Sequence, residues 1–98
     1  MKRGRLTKYN KNYILVQENK ECAAETQELT NRYQDILGCS YACEETESCR
    51  FFNWDSHLNK CFWSKTSSID CPENFDENKG HFFYAILEPI ESNDDVFT

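Results

Sequence analysis

Apolar residues come in short bursts along a polar chain, and the spacing within each burst predicts an element. Residues 12–17 (NYILVQ) are aromatic and β-branched, which suits a strand. Their four consecutive apolar positions imply burial on both faces, or an edge partly covered by a helix. Residues 18–21 read as a charged turn, and residues 22–31 as a polar loop holding at most one helical turn. From residue 33 to about residue 46 the period changes to three and four. Tyr33, Ile36, Leu37, Ser40 and Cys43 make one stripe, flanked by Cys39. Asn31 is placed to cap this helix and Asp35 to favour the positive end of its dipole. Gly38 costs roughly 1 kcal/mol in a helix interior, which a close approach to a sheet would explain. Glu44, Glu45 and Glu47 fray the last turn by opposing the dipole.

The second half of the chain reads as β-structure. Residues 50–54 (RFFNW) alternate, with Phe51 and Asn53 on one face and Phe52 and Trp54 on the other. Residues 55–59 (DSHLN) are a turn, and residues 60–64 (KCFWS) return as the partner strand of a hairpin. Residues 65–79 are polar and acidic and read as a loop. After Gly80, residues 81–87 (HFFYAIL) form the longest apolar run and the best central strand. This divides the chain into a basic flexible lead-in (1–11), a folded unit (12–87) and an acidic tail or linker (88–98). No internal repeat is present.

Composition sharpens this picture. In 98 residues, 39% hydrophobic with mean hydropathy −0.80, there is room for one small core that needs reinforcement. Aromatic residues, at 14%, bring large buried areas, and six cysteines bring covalent staples. An even cysteine count at this density implies three disulfides, hence an extracellular, secretory or other oxidising compartment. The run at residues 13–16 is far too short for a signal-peptide core or a membrane span, so the expected leader lies outside this sequence, or the chain is a piece of a longer protein, or export is unconventional. No N-x-S/T sequon occurs.

Charge is divided unevenly. Lys2, Arg3, Arg5, Lys8 and Lys11 face no acid within residues 1–11, whereas the rest of the chain holds six basic and seventeen acidic residues, a net −11. That surface is poorly matched to nucleic acid or to insertion among anionic lipids. The basic start is read as a solvated arm and the acidic surface as a solubility feature.

The centre of the chain is residues 39–61, which hold four of the six cysteines. A zinc site can be drawn from Cys39, Cys43 and Cys49 with Cys61 or His57, but two of these lie on a helical stripe and the spacing is unlike a zinc knuckle. No C-x-x-C pair supports redox catalysis. Neither His57 nor His81 sits in a motif that fixes a nucleophile. Asp70, Glu73, Asp76 and Glu77 lack the alternation and glycine of a calcium loop. No metal, cofactor or catalytic role is therefore assigned.

With the cysteines placed, the chain resembles the PAN/apple domain family. The resemblance is carried by C-x3-C-x5-C-R-F-F-x-W over residues 39–54 and K-C-F-W over residues 60–63. Cys22 after a first strand and the closing FFYAIL also fit, so the resemblance covers residues 13–87. It implies an α+β fold, a single helix packed on a curved antiparallel β-sheet and stapled by disulfides. It further implies the pairs Cys39–Cys61, Cys43–Cys49 and Cys22–Cys71. Cys71 departs from the pattern of many apple domains, because it precedes the final strand instead of lying within it. The family's use implies a non-catalytic extracellular module that binds protein or carbohydrate. An alternative is a small structural subunit docked in a larger assembly or filament.

Exposed tryptophan beside cationic groups suits such a ligand. Arg50, Trp54, His57, Lys60 and Trp63 are accordingly the candidate ligand-binding set, on the hairpin face that the helix leaves open. The competing reading is that both tryptophans fill a core short of aliphatic residues.

Overall fold

The computed structural model describes residues 12–30 and 35–87. Six elements follow in chain order: β1 (Tyr13–Cys22), β2 (Thr26–Leu29), α1 (Ile36–Glu45), β3 (Phe51–Asp55), β4 (Lys60–Ser64) and β5 (Phe75–Ile86). The strands form one antiparallel sheet in the order β1-β5-β3-β4-β2. Among the described residues, one helix, five antiparallel strands and three disulfides make up the expected α+β architecture.

The β3–β4 hairpin runs in register from Phe51 opposite Ser64 to Asp55 opposite Lys60. Asp55 organises its turn, since Oδ1 accepts hydrogen bonds from His57 N (2.9 Å) and Leu58 N (3.3 Å). Asn59 takes the left-handed conformation that closes the loop (φ 54°). The central strand is β5, hydrogen-bonded to β1 on one side and β3 on the other.

Three expectations are corrected. Residues 75–79 are strand and not loop, because Phe75, Asp76 and Glu77 pair with Cys22, Glu21 and Lys20. The same pairing extends β1 through residues 18–21, read above as a turn. The register slips between Glu18 and Lys20, so residues 78–81 of β5 bulge opposite Asn19. Gly80 supplies positive φ there (88°) and its N–H donates to Asn19 Oδ1 at 2.9 Å. Finally, Thr26–Leu29 (TQEL) is a strand paired with β4, with Leu29 its one buried residue.

The helix begins at Ile36, capped by Asp35, whose Oδ1 accepts from Gly38 N at 2.7 Å. Asn31 and Tyr33, placed above at the helix start, lie outside the described residues. Gly38, Cys39, Ser40 and Cys43 are buried against the sheet, while Leu37, expected in the stripe, faces solvent. Cys39 and Cys43 decide this orientation, because both are tied to groups on the sheet side. Thr46 Oγ1 donates to Ala42 O at 2.8 Å and closes the C-terminal turn.

Each face of the sheet carries an apolar cluster. On the helix side Leu29, Cys39, Cys43, Cys49, Phe52, Trp54, Cys61 and Tyr84 form the main core. On the other side Cys22, Cys71 and Phe83 form a second cluster with Val16, Ala24, Phe51 and Phe75. Phe52 stacks on Tyr84 at 5.1 Å in the first, and Phe51 on Phe83 at 5.7 Å in the second. Such ring pairs are worth about 0.5–1.5 kcal/mol beyond the area they bury.

The disulfides are Cys39–Cys61, Cys43–Cys49 and Cys22–Cys71, the same pairs that the family resemblance implies. The first bolts α1 to β4. The second anchors the helix end to the segment before β3. The third draws the loop after β4 over the end of β1, closing the second cluster.

Candidate interaction surface

The structure does not bring Arg50, Trp54, His57, Lys60 and Trp63 into one site. Trp54 is 7% exposed and belongs to the helix-side core. It shares a face with Phe52, and that is the face α1 covers, so it is not an open binding residue. Arg50 and His57 stand at opposite ends of β3, exposed at both places. A five-residue strand separates them by about 17 Å at 3.3–3.4 Å per residue. Lys60 points to the other side of the sheet, where its Nζ meets Glu28 Oε2 at 3.5 Å.

His57 serves the fold at the hairpin tip. Its Nε2 lies 3.0 Å from Lys79 O and its ring covers Gly80. Ser56 N and Oγ both donate to Gly80 O, at 2.9 and 2.8 Å, so the tip is latched onto the β5 bulge. Beneath it, His81 Nε2 is 3.5 Å from Asp55 Oδ2, and Nδ1 is 4.0 Å from Glu21 Oε1. Asn78 Nδ2 donates to the same Glu21 oxygen at 2.9 Å. The constellation spans β1, β3 and β5 and locks their common end.

Trp63 keeps its place in the candidate set. It is half-buried on β4, opposite Gln27 of β2, with Lys65 Nζ 4.7 Å from the ring centroid. Next to it, between β2 and the last turn of α1, runs a groove of about 320 Å³. Gln27, Glu28, Leu29, Thr30, Ala42, Glu45 and Thr46 line it. Leu29 and Ala42 give an apolar floor, and the amide, hydroxyls and carboxylates give a polar rim. That mixture, with an aromatic ring alongside, suits a polar ligand that presents one apolar face. The groove was not legible in the sequence, because TQEL carries no apolar alternation and reads as loop.

Two phenols lie under the other end of the helix. Tyr84 and Tyr13 meet edge to face at 5.5 Å. Burial raises both pKa values above 10.0, assisted by Asp35 and Tyr41 for Tyr13 and by Tyr13 and Glu18 for Tyr84. Neither points to acid–base chemistry at neutral pH. Among the described residues, Cys22, Cys71 and Glu73 stand close enough to hold a metal ion. Their two sulfurs are joined in a disulfide and offer no thiolate.

No curated protein and no solved structure gives a significant match to the chain. A family model does: the PAN domain model matches residues 1–86 of the 98. That family is a non-catalytic module commonly used for protein or carbohydrate interactions. The helix on a five-stranded antiparallel sheet, its three staples and this match agree, and the chain belongs to the PAN domain family.

Proposed function

We infer that this protein is a non-catalytic recognition module, acting in an extracellular or other oxidising compartment, and that it binds a protein or glycan in the groove between β2 and α1. The observation that carries this reading is the half-buried Trp63 with Lys65 over its ring, beside a groove with an apolar floor and a polar rim. Trp54 is buried in the helix-side core, which leaves Trp63 as the tryptophan with a solvent-facing surface, and it stands at this margin. Two disulfides support it: Cys39–Cys61 holds α1 against β4 and Cys43–Cys49 anchors the end of the helix, so the groove is formed before any ligand arrives. A preformed site avoids part of the ordering cost of binding.

The test is a glycan array and a panel of extracellular proteins screened with the full chain, then repeated with Trp63→Ala and Gln27→Ala. At least one ligand is expected, with affinity falling tenfold or more in the tryptophan variant while its circular dichroism is unchanged. Absence of a ligand from both panels, or binding indifferent to both substitutions, would overturn the assignment.

A further inference from the structure

The margin that bounds the groove is also a hydrogen-bonding edge. In the sheet order β2 is terminal, paired with β4 on one side, and no described strand lies beyond it. Lys65 N donates to Glu25 O at 2.9 Å, which fixes the alternation of the ladder. With Thr26 opposite Ser64 and Glu28 opposite Phe62, the backbone groups of Thr26 and Glu28 are directed away from β4. They present donors and acceptors to an additional strand.

The charged side chains at this edge are mostly acidic. Glu28 and Glu45 line the groove, and Glu25, Glu44 and Glu47, each within two residues of a lining residue in the chain, are exposed. The last turn of α1 holds no basic residue, so its carbonyl end adds to the negative potential. Two lysines oppose these five carboxylates. Lys60 reaches Glu28 at 3.5 Å and Lys65 reaches Glu25 at 4.0 Å, both as exposed pairs. Pairs of that kind are worth little, so neither keeps a competing cation from its carboxylate.

We propose that the β2 edge and its groove take an extended, basic polypeptide segment, which adds to the sheet as a sixth strand. Backbone bonds to Thr26 and Glu28 set its register, and alternate Lys or Arg side chains reach Glu45 on the helix side and Glu28 on the other. This deepens the recognition reading of the same groove by naming a partner class, and it rests on that reading. It follows the general mode of strand addition, in which the main chain supplies affinity and alternate side chains supply specificity.

The experiment titrates the isotope-labelled full chain with a blocked alternating Lys–Thr decapeptide at low ionic strength, observing backbone amide signals. Three peptides are compared: the Lys–Thr peptide, a Glu–Thr peptide, and a Lys–Thr peptide with alternate amides N-methylated on its pairing edge. Saturable shifts at Thr26 and Glu28 are expected for the first peptide alone. Affinity should fall tenfold or more on N-methylation and again in Glu28→Lys/Glu45→Lys, both sites being exposed. Equal binding of the methylated peptide would reduce the interaction to unspecific charge attraction and overturn strand addition. Shifts elsewhere, or none at millimolar peptide, would also overturn it. Shifts of Thr26 and Glu28 that appear on concentrating the protein alone would assign the edge to a second copy and overturn it too. If the peptide fails while a glycan or other protein moves Trp63 and Gln27, this inference falls and the recognition reading stands.

Discussion

Gly80 lies so close beneath the imidazole of His57 that no Cβ fits between them. The backbone at Gly80 also takes φ 88°, a region side chains rarely enter. This contact turns a histidine that reads as a ligand-binding residue into a cover for the β5 bulge. Gly80→Ala is expected to lower stability by about 1–3 kcal/mol, from backbone strain with steric overlap added. His57→Ala, at an exposed site, should cost less. Because the overlap needs both side chains, the double variant should be more stable than the sum of the single losses implies. Urea unfolding of the four proteins checks this, and strict additivity would contradict it.

Trp54 and Trp63 should behave as different kinds of residue. Trp54 lies in the core beneath α1, and Trp54→Ala should cost about 3–5 kcal/mol, as large aromatic truncations do. Trp63 has a solvent-facing surface, and its truncation should cost clearly less. Acrylamide quenching provides an independent check. The Trp54→Ala protein, which retains Trp63, should be quenched more steeply than Trp63→Ala. The reverse order would place the tryptophans on the wrong faces.

Tyr13 and Tyr84 make a prediction about alkaline pH. Both phenols hold their protons more tightly in the fold than the usual 10.0, chiefly because burial disfavours the phenolate. The folded state therefore binds more protons than the unfolded chain once pH passes 10.0. Their contribution to stability is complete below that pH and is lost as pH rises through the higher folded values. Denaturant midpoints should fall in that range, and Tyr84→Phe should flatten the fall. An unchanged slope in the variant would show that other groups govern it.

Much of this architecture was legible in the residues, for identifiable reasons. The helix showed in the spacing of Tyr33, Ile36, Leu37, Ser40 and Cys43, although Leu37 faces solvent and Cys39, read as flanking, is buried. The hairpin showed in RFFNW, DSHLN and KCFWS. Cysteine spacing, joined to the family resemblance, pointed to the three pairs. What did not show was strand content made by pairing alone. Asp76 and Glu77 are in β5 because Glu21 and Lys20 lie opposite them, not because their own side chains favour a strand. Thr26–Leu29 is a strand for the same reason, so the groove it bounds was invisible. The alternation of Phe52 and Trp54 was plain. Which face α1 would cover was not, and a second cluster on the opposite face had no separate signature.

The disulfides bear on all of this, because the groove exists only while α1 is held against β4. Cys39 and Cys61 are fully buried, with their Cα atoms 5.9 Å apart. Replacing either with serine removes the bridge and leaves a hydroxyl in the core. The loss expected is at least the roughly 2–4 kcal/mol typical of a native bridge. A cooperative melt with an unshifted midpoint would show that this bridge does not hold the fold.

The most direct measurement is the intact mass of the purified chain, unfolded without reductant and again after reduction. A closed PAN domain with all six cysteines paired should gain six hydrogens and react with an alkylating agent only after reduction. An unchanged mass, with six thiols alkylated at once, would contradict the stapled fold and the preformed groove built on it.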